Sequence, residues 1–207
     1  MAPDSELLKA VVKVGDGRGF IIEAGNQRLV ITAAHCLSRL PPCDGASFTE
    51  DRTYPDLIGP LGASAPKVWA ECLFADPVGD IAVLGSPDGQ VLYDEAIAFE
   101  TLTDEMPIMR IGEVESESPA WLLTLDGRWM RCAIQHSSAW PLWIENAEES
   151  ILGGMSGSPI MNDESLAIGV VCIAAGIGLD SDTFTSGGPN PRLTYSLPGW
   201  LLQQVGS

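Results

Sequence analysis

Twenty-two glycines and fifteen prolines are scattered along a chain of 207 residues, cutting it into short runs of Val, Ile, Leu and Trp. Punctuation this frequent makes long helices unlikely to form and marks an all-β chain, whose strands end at turn residues. Apolar runs at 7–14, 19–23, 28–34, 67–74 and 80–84 read as strands of a first sheet. After an acidic, less patterned stretch at 93–105, strand-like runs resume at 107–114, 120–125, 128–136, 142–144, 158–161, 167–174 and 192–196, giving a second sheet of similar size. Leu125-Asp126-Gly127-Arg128 is a hairpin turn in which Gly127 supplies positive φ. Residues 197–205 form the one expected helix: Pro198 suits its first turn, and Trp200, Leu201 and Val205 form a buried stripe. Two segments rich in turn residues, 41–66 and 176–191, are expected to be surface excursions.

At 45% apolar and 7% aromatic residues, the chain has enough core-forming side chains to fold alone. Its formal net charge of -17 argues against nucleic acid or an anionic membrane surface as a partner, since both need clustered Lys and Arg. Basic partners are favoured, with solubility as the plainer reason for the acidity. No secretory signal is read at the start and no span is apolar enough to cross a bilayer. Cys36, Cys43, Cys72, Cys132 and Cys172 are an odd count without framework spacing, as expected of free thiols in the cytoplasm, although Cys36 and Cys43 are close enough to pair if oxidised.

Three motifs carry chemistry. Thr32-Ala33-Ala34-His35-Cys36 follows the apolar run Leu29-Val30-Ile31 and places a histidine where a buried strand ends. Asp80-Ile81-Ala82-Val83-Leu84 puts an acid at the head of an apolar strand, where a carboxylate must be paired and hydrogen-bonded. Gly153-Gly154-Met155-Ser156-Gly157-Ser158-Pro159 is a tight glycine turn that exposes one serine before another apolar strand. In such a turn the N–H groups of Gly154 and Ser156 converge on one spot and stabilise an oxyanion, each donor being worth on the order of 3 kcal/mol of barrier. Taken singly, each motif also has a structural reading: a histidine at a strand end, a strand-capping Asp, and a Gly/Ser loop or anion-binding nest.

Together they stand in the order His, Asp, Ser, separated by 45 and then 76 positions, and resemble the trypsin/chymotrypsin-fold serine peptidases. That family's histidine lies in a TAAHC-like motif, its aspartate opens a DIA-L motif and its nucleophile lies in G-x-S-G-(G/S)-P. The likeness runs from about residue 7 to 205 and includes the terminal helix with Trp200. It implies two six-stranded antiparallel barrels forming one peptidase domain, with 1–95 carrying His35 and Asp80 and 96–207 carrying Ser156. It also implies a Ser156 nucleophile, a His35 general base, an Asp80 that orients the imidazole, and an oxyanion hole from Gly154 and Ser156.

The departures define the kind of member. Gly17-Arg18-Gly19-Phe20 lacks the cysteine that would pair with Cys36, no Ile-Val-Gly-Gly-like activation site occurs, and Met155 replaces the acid that receives a freed amino terminus. Ser158 is closer to bacterial glutamyl endopeptidases. Their pocket histidine is replaced near Val171, and the pocket-base acid of trypsin is replaced by Ser150. Val171, Cys172, Ile173 and Ala174 as a pocket wall imply a small or medium uncharged side chain, with loop acids Glu148, Glu149, Asp180 or Asp182 as a route to a basic preference. His136 fits no metal-ligand spacing and is read as structural, and no cofactor or metal is implied. Trp121, Trp129, Trp140 and Trp143 are expected to fill the barrels. The resulting expectation is a bacterial, cytoplasmic endopeptidase acting on protein or peptide substrates, with a regulatory protein partner controlling a latent form as one variant. Its rivals are an inactive binding scaffold on the same fold and an acyl hydrolase acting on esters.

Overall fold

The computed structural model describes residues 1–42, 48–114, 118–136, 141–172 and 185–205, with His136 described by its backbone alone. The first six strands are β1 (Val11–Val14), β2 (Gly17–Ala24), β3 (Gln27–Thr32), β4 (Thr53–Pro60), β5 (Val68–Asp76) and β6 (Ile81–Gly85). They close into an antiparallel barrel in the order β1-β2-β3-β6-β5-β4, with β4 returning to β1. All five residues of β6, and all of β2 except Glu23, are buried. These strands read as continuous apolar runs because both of their faces are covered.

The second half contains β7 (Ser118–Leu123), β8 (Trp129–His136), β9 (Pro141–Glu145), β10 (Pro159–Asn162), β11 (Ala167–Val170) and β12 (Gly187–Pro191). Their order is β11-β10-β7-β8-β9-β12, and an antiparallel bridge from Gly169 to Arg192 nearly closes this sheet into a second six-stranded barrel. The two-barrel, all-β expectation therefore holds. The hairpin between β7 and β8 is the expected one: Gly127 has φ +81 and its N–H donates to the Thr124 carbonyl.

One apolar cluster fills the first barrel and continues into Leu123, Met161, Val170 and Leu193 of the second half, while another fills the second barrel around Leu122, Ile134, Ile160 and Ile168. The barrels thus share apolar surface at their junction, and burying each such Leu or Ile side chain contributes about 1.5–3 kcal/mol.

Several segments differ from the sequence reading. The expected excursion at 41–66 contains β4. Its apolar residues Tyr54, Leu57 and Ile58 are interrupted by Pro55 and Asp56, which lie where the register with β5 shifts, and Asp56 adopts φ +50. Proline is tolerated in a strand at such bulges. The acidic stretch at 93–105 is a twelve-residue helix, α1 (Tyr93–Asp104), whose buried residues Ala96, Phe99 and Thr103 form one narrow stripe. Phe99 joins the first core, so α1 packs against the first barrel.

Residues 107–114 form no strand. Met109 donates its N–H to the Ile21 carbonyl, and Ile111 makes only an isolated parallel bridge to Ala167. Residues 5–10, expected in part as strand, form a 3-10 turn capped by the Asp4 side chain. The expected strand at 192–196 is a helical turn, α2 (Leu193–Ser196), and the terminal helix is the short α3 (Gly199–Leu202) with Leu201 buried and Trp200 44% exposed. Trp143 is also exposed, at 45%, and Trp140 lies outside the described residues.

Candidate functional site

β3 ends at Thr32, and the chain enters a 3-10 turn, Ala34–Cys36, in which Ala33 and Ala34 are almost fully buried. Only small side chains fit there, and the tight turn carries His35 out of the barrel with its side chain 44% exposed. Asp80 arrives from the other side at the head of β6, with φ +53, a backbone state uncommon for a non-glycine residue.

The two groups meet closely. His35 Nδ1–H donates to Asp80 Oδ2 at 2.7 Å, and the His35 backbone N–H donates to Asp80 Oδ1 at 3.0 Å. An ionised carboxylate only accepts, so the ring proton sits on Nδ1 and Nε2 is left as the basic nitrogen. The Asp80 hydrogen bond raises the pKa of His35 against the opposing effect of burial. Burial pushes the Asp80 carboxyl up, but hydrogen bonds from the ring and backbone of His35 outweigh it and leave Asp80 below its ordinary value.

Ser156 stands in the second of two consecutive turns, closed by Met155 N–H to the Leu152 carbonyl and by Ser158 N–H to the Met155 carbonyl. The third residues of these turns, Gly154 and Gly157, have φ +87 and +82, as type II turns require. At Gly157 a Cβ would also overlap the Arg18 carbonyl oxygen. Gly17 is needed for a related reason, since a Cβ there would lie 2.5 Å from Cys36 Sγ and 2.7 Å from the Ser156 carbonyl oxygen.

The start of β2 is therefore the piece of chain on which the histidine and serine motifs converge. Arg18 N–H donates to the Ser156 carbonyl at 2.8 Å, and the Arg18 carbonyl accepts from the Thr32 hydroxyl at 2.6 Å. His35, Ser156, Gly154 and Gly17 line one cleft of about 400 Å³. Ser156 is 7% exposed, and among the described residues its hydroxyl has no hydrogen-bond partner, the His35 ring included. The N–H groups of Gly154 and Ser156 are likewise without an acceptor among the described residues, so both are free to bind an anionic oxygen.

Two contributors have no signature in the sequence. The buried Arg18 guanidinium donates to the carbonyls of Leu123 and Thr124 at 3.0 Å each and of Leu125 at 3.3 Å, tying the first barrel to the β7–β8 hairpin. Burial lowers its pKa. Cys172 Sγ donates to the Asp80 carbonyl at 3.3 Å and also supports the ionised carboxylate of Asp80. In both cases the partner is more than ninety positions away, and most of the accepting atoms are main-chain oxygens that any residue supplies.

Of the expected pocket wall, the described residues Val171 and Cys172 do not line this cleft. Val171 lies in the second core, with its N–H and carbonyl bonded to the Ser158 carbonyl and the Gly157 N–H, and Cys172 is buried behind Asp80. Ser150 is half-buried and does not line the cleft. Ile173, Ala174, Asp180 and Asp182 lie outside the described residues, as do Cys43 and the side chain of His136. Cys36, Cys72, Cys132 and Cys172 are buried free thiols; burial pushes Cys36 and Cys72 up to about 11 and Cys132 up to about 12. Among the described residues no group of three or more His, Cys, Asp or Glu is placed to hold a metal ion, and no helix is long and apolar enough to cross a membrane.

Fold and site together define a two-barrel β protein in which a histidine hydrogen-bonded to an aspartate and a glycine-flanked serine line one cleft. No family model matches the chain, and no curated protein matches it in sequence.

Proposed function

We propose that the chain is a serine endopeptidase of the trypsin/chymotrypsin type that hydrolyses peptide bonds of protein substrates through Ser156, His35 and Asp80. The observation that carries this reading is the double hydrogen bond from His35 to Asp80, which leaves Nε2 basic at a cleft that Ser156 also lines. Ser156 Oγ attacks the substrate carbonyl carbon while Nε2 takes its proton. The carbonyl oxygen, now anionic, is held by the N–H groups of Gly154 and Ser156. Nε2 returns the proton to the leaving nitrogen, the C–N bond breaks, and water then hydrolyses the Ser156 ester by the same route. The lack of a hydrogen bond between the Ser156 and His35 side chains accords with this scheme, because catalytic hydrogen bonds often tighten only when substrate binds. The free thiols fit a reducing compartment, and cytoplasmic residence belongs to the same proposal.

The test is covalent labelling with a fluorophosphonate probe, read by intact mass. Wild type is expected to gain one label and Ser156→Ala none, with turnover of a cleaved protein substrate falling on the order of 10^6-fold in the variant. A folded wild type that takes no label and cleaves no protein would sink the reading and leave the scaffold interpretation standing. Labelling with turnover of esters but never of peptides would make the protein an acyl hydrolase.

A further inference from the structure

We propose that the cleft selects a cationic residue on the leaving-group side of the scissile bond, read by Asp16 and Asp56; this rests on the peptidase reading above. His35 Nε2 returns its proton to the departing amine, so the leaving segment must run along the wall that continues from His35. That wall belongs to the first barrel. It consists of Cys36, Leu37 and Ser38, of the β1–β2 turn at Gly15 and Asp16, and of the β4 bulge at Pro55 to Leu57.

Two acids project from the latter two features. The turn and the bulge are joined by the Gly15 N–H, which donates to the Leu57 carbonyl at 2.9 Å, so Asp16 and Asp56 are held on adjoining parts of one frame. Both are exposed, and neither carboxylate has a hydrogen bond or ion pair among the described residues. No Lys or Arg is among the described residues that line the cleft. The one polar side chain there that is nine-tenths buried and unpartnered is the Ser156 hydroxyl, the atom expected to meet substrate. A positive side chain just past the scissile bond therefore finds two uncompensated negative charges, and the net charge of -17 draws basic chains towards them. Exposed pairs of this kind each favour association by about two- to fivefold, and salt weakens them.

The experiment uses the full chain and reads the leaving-group side alone. A p-nitrophenyl ester of an N-acylated amino acid acylates Ser156 and releases p-nitrophenol. Added amino-acid amides then compete with water: the amide's amine attacks the acyl carbon, Ser156 Oγ leaves, and His35 carries the proton from amine to Oγ. The product ratio is internal to each reaction, so the acylation rate does not enter it.

Argininamide and lysinamide are expected to be taken up about tenfold better than glutamamide at low salt, with the ratio falling several-fold at 0.5 M NaCl. Asp16→Asn combined with Asp56→Asn is expected to bring the ratio within about twofold of unity, and Asp16→Lys to turn it towards glutamamide; circular dichroism and thermal unfolding report that each variant is folded. Ester turnover with equal uptake of all amides, or a cationic preference that survives in the folded double variant, would overturn the inference and leave the peptidase reading intact. Absence of Ser156-dependent p-nitrophenol release would overturn both.

Discussion

The first barrel holds its His–Asp pair through side chains 45 positions apart, with ring and backbone N–H of His35 both bonded to one carboxylate. The second barrel holds Ser156 with almost no side-chain help. Its turn is shaped by glycines at positive φ and by main-chain bonds among Leu152, Met155, Ser158 and Arg18. A side-chain contact can be weakened by an isosteric change that leaves the fold alone. A turn built from backbone has no such intermediate setting, because its failure comes from adding a single Cβ. The two halves of the site should therefore respond to substitution in different currencies, the first in rate and pH profile and the second in stability.

After loss of Ser156 itself, the largest effect is expected from Asp80→Asn, which keeps shape and removes the charge. Turnover should fall on the order of 10^4-fold, since the amide no longer holds the ring in the tautomer that leaves Nε2 basic. The proposed mechanism needs a neutral His35, whose pKa is raised in the wild type by Asp80, so the acid limb of the rate profile should move to lower pH in the variant. Stability depends on the same pair in two directions. The raised His35 pKa contributes stability that is full below about pH 6.5 and lost as pH rises through the folded value. The depressed Asp80 pKa contributes stability present above about pH 3.9 and lost as pH falls through its folded value. Urea unfolding of wild type should therefore find this contribution greatest between about pH 4 and 6.5, and Asp80→Asn should flatten the curve. An unchanged pH profile in the variant would mean that the contact carries no charge coupling.

Within the serine turn, Gly157→Ala and Gly154→Ala sharpen the contrast. Both need positive φ, but a Cβ at 157 overlaps the Arg18 carbonyl, whereas a Cβ at 154 meets nothing nearer than Leu125 Cδ2 at 3.5 Å. Gly157→Ala is expected to lower unfolding free energy by about 3 kcal/mol or more, as backbone must move, and Gly154→Ala by about 1 kcal/mol of conformational strain. Equal losses in urea titrations would show that strain at φ, and not the close approach of β2, sets the requirement.

Arg18→Met tests the bond between the halves. It removes one donor from each of three carbonyls of the β7–β8 hairpin, of which Thr124's keeps the Gly127 N–H, and it also relieves the burial of a charge, so the expected loss is about 2 kcal/mol, well under three separate charged hydrogen bonds. Because one apolar cluster spans the junction, scanning calorimetry should still show a single transition at lower temperature. Two transitions would mean that Arg18 alone couples the barrels.

What could be read in advance follows from where each signal resides. His35, Asp80 and Ser156 were legible because their motifs are local: small residues before a histidine, an acid opening an apolar strand, glycines around a serine. That His35 bonds Asp80 and shares a cleft with Ser156 needed the fold. β4 was hidden by Pro55, Asp56 and Pro60, residues that mark a loop by local preference and here form a bulge and a strand end. α1 was hidden because only Ala96, Phe99 and Thr103 are buried in an otherwise acidic face, a stripe too narrow to stand out. Arg18 acts through main-chain partners that leave no trace in neighbouring residues.

Cys172 offers the smallest change and the finest test of the comparison. Its thiol donates to the Asp80 carbonyl and helps hold the carboxylate ionised, so it is a side-chain support for the first barrel supplied from the second. Cys172→Ser keeps a donor in a slightly smaller atom, and activity is expected within about threefold of wild type, a neutral hydrogen bond being worth about 1 kcal/mol. Cys172→Ala removes the donor and should raise the Asp80 pKa, seen as a shift of the acid limb of stability to higher pH with little change in turnover at pH 8. If Ser and Ala behave alike in both measurements, Cys172 only fills space behind Asp80, and the His–Asp pair is held by the first barrel alone.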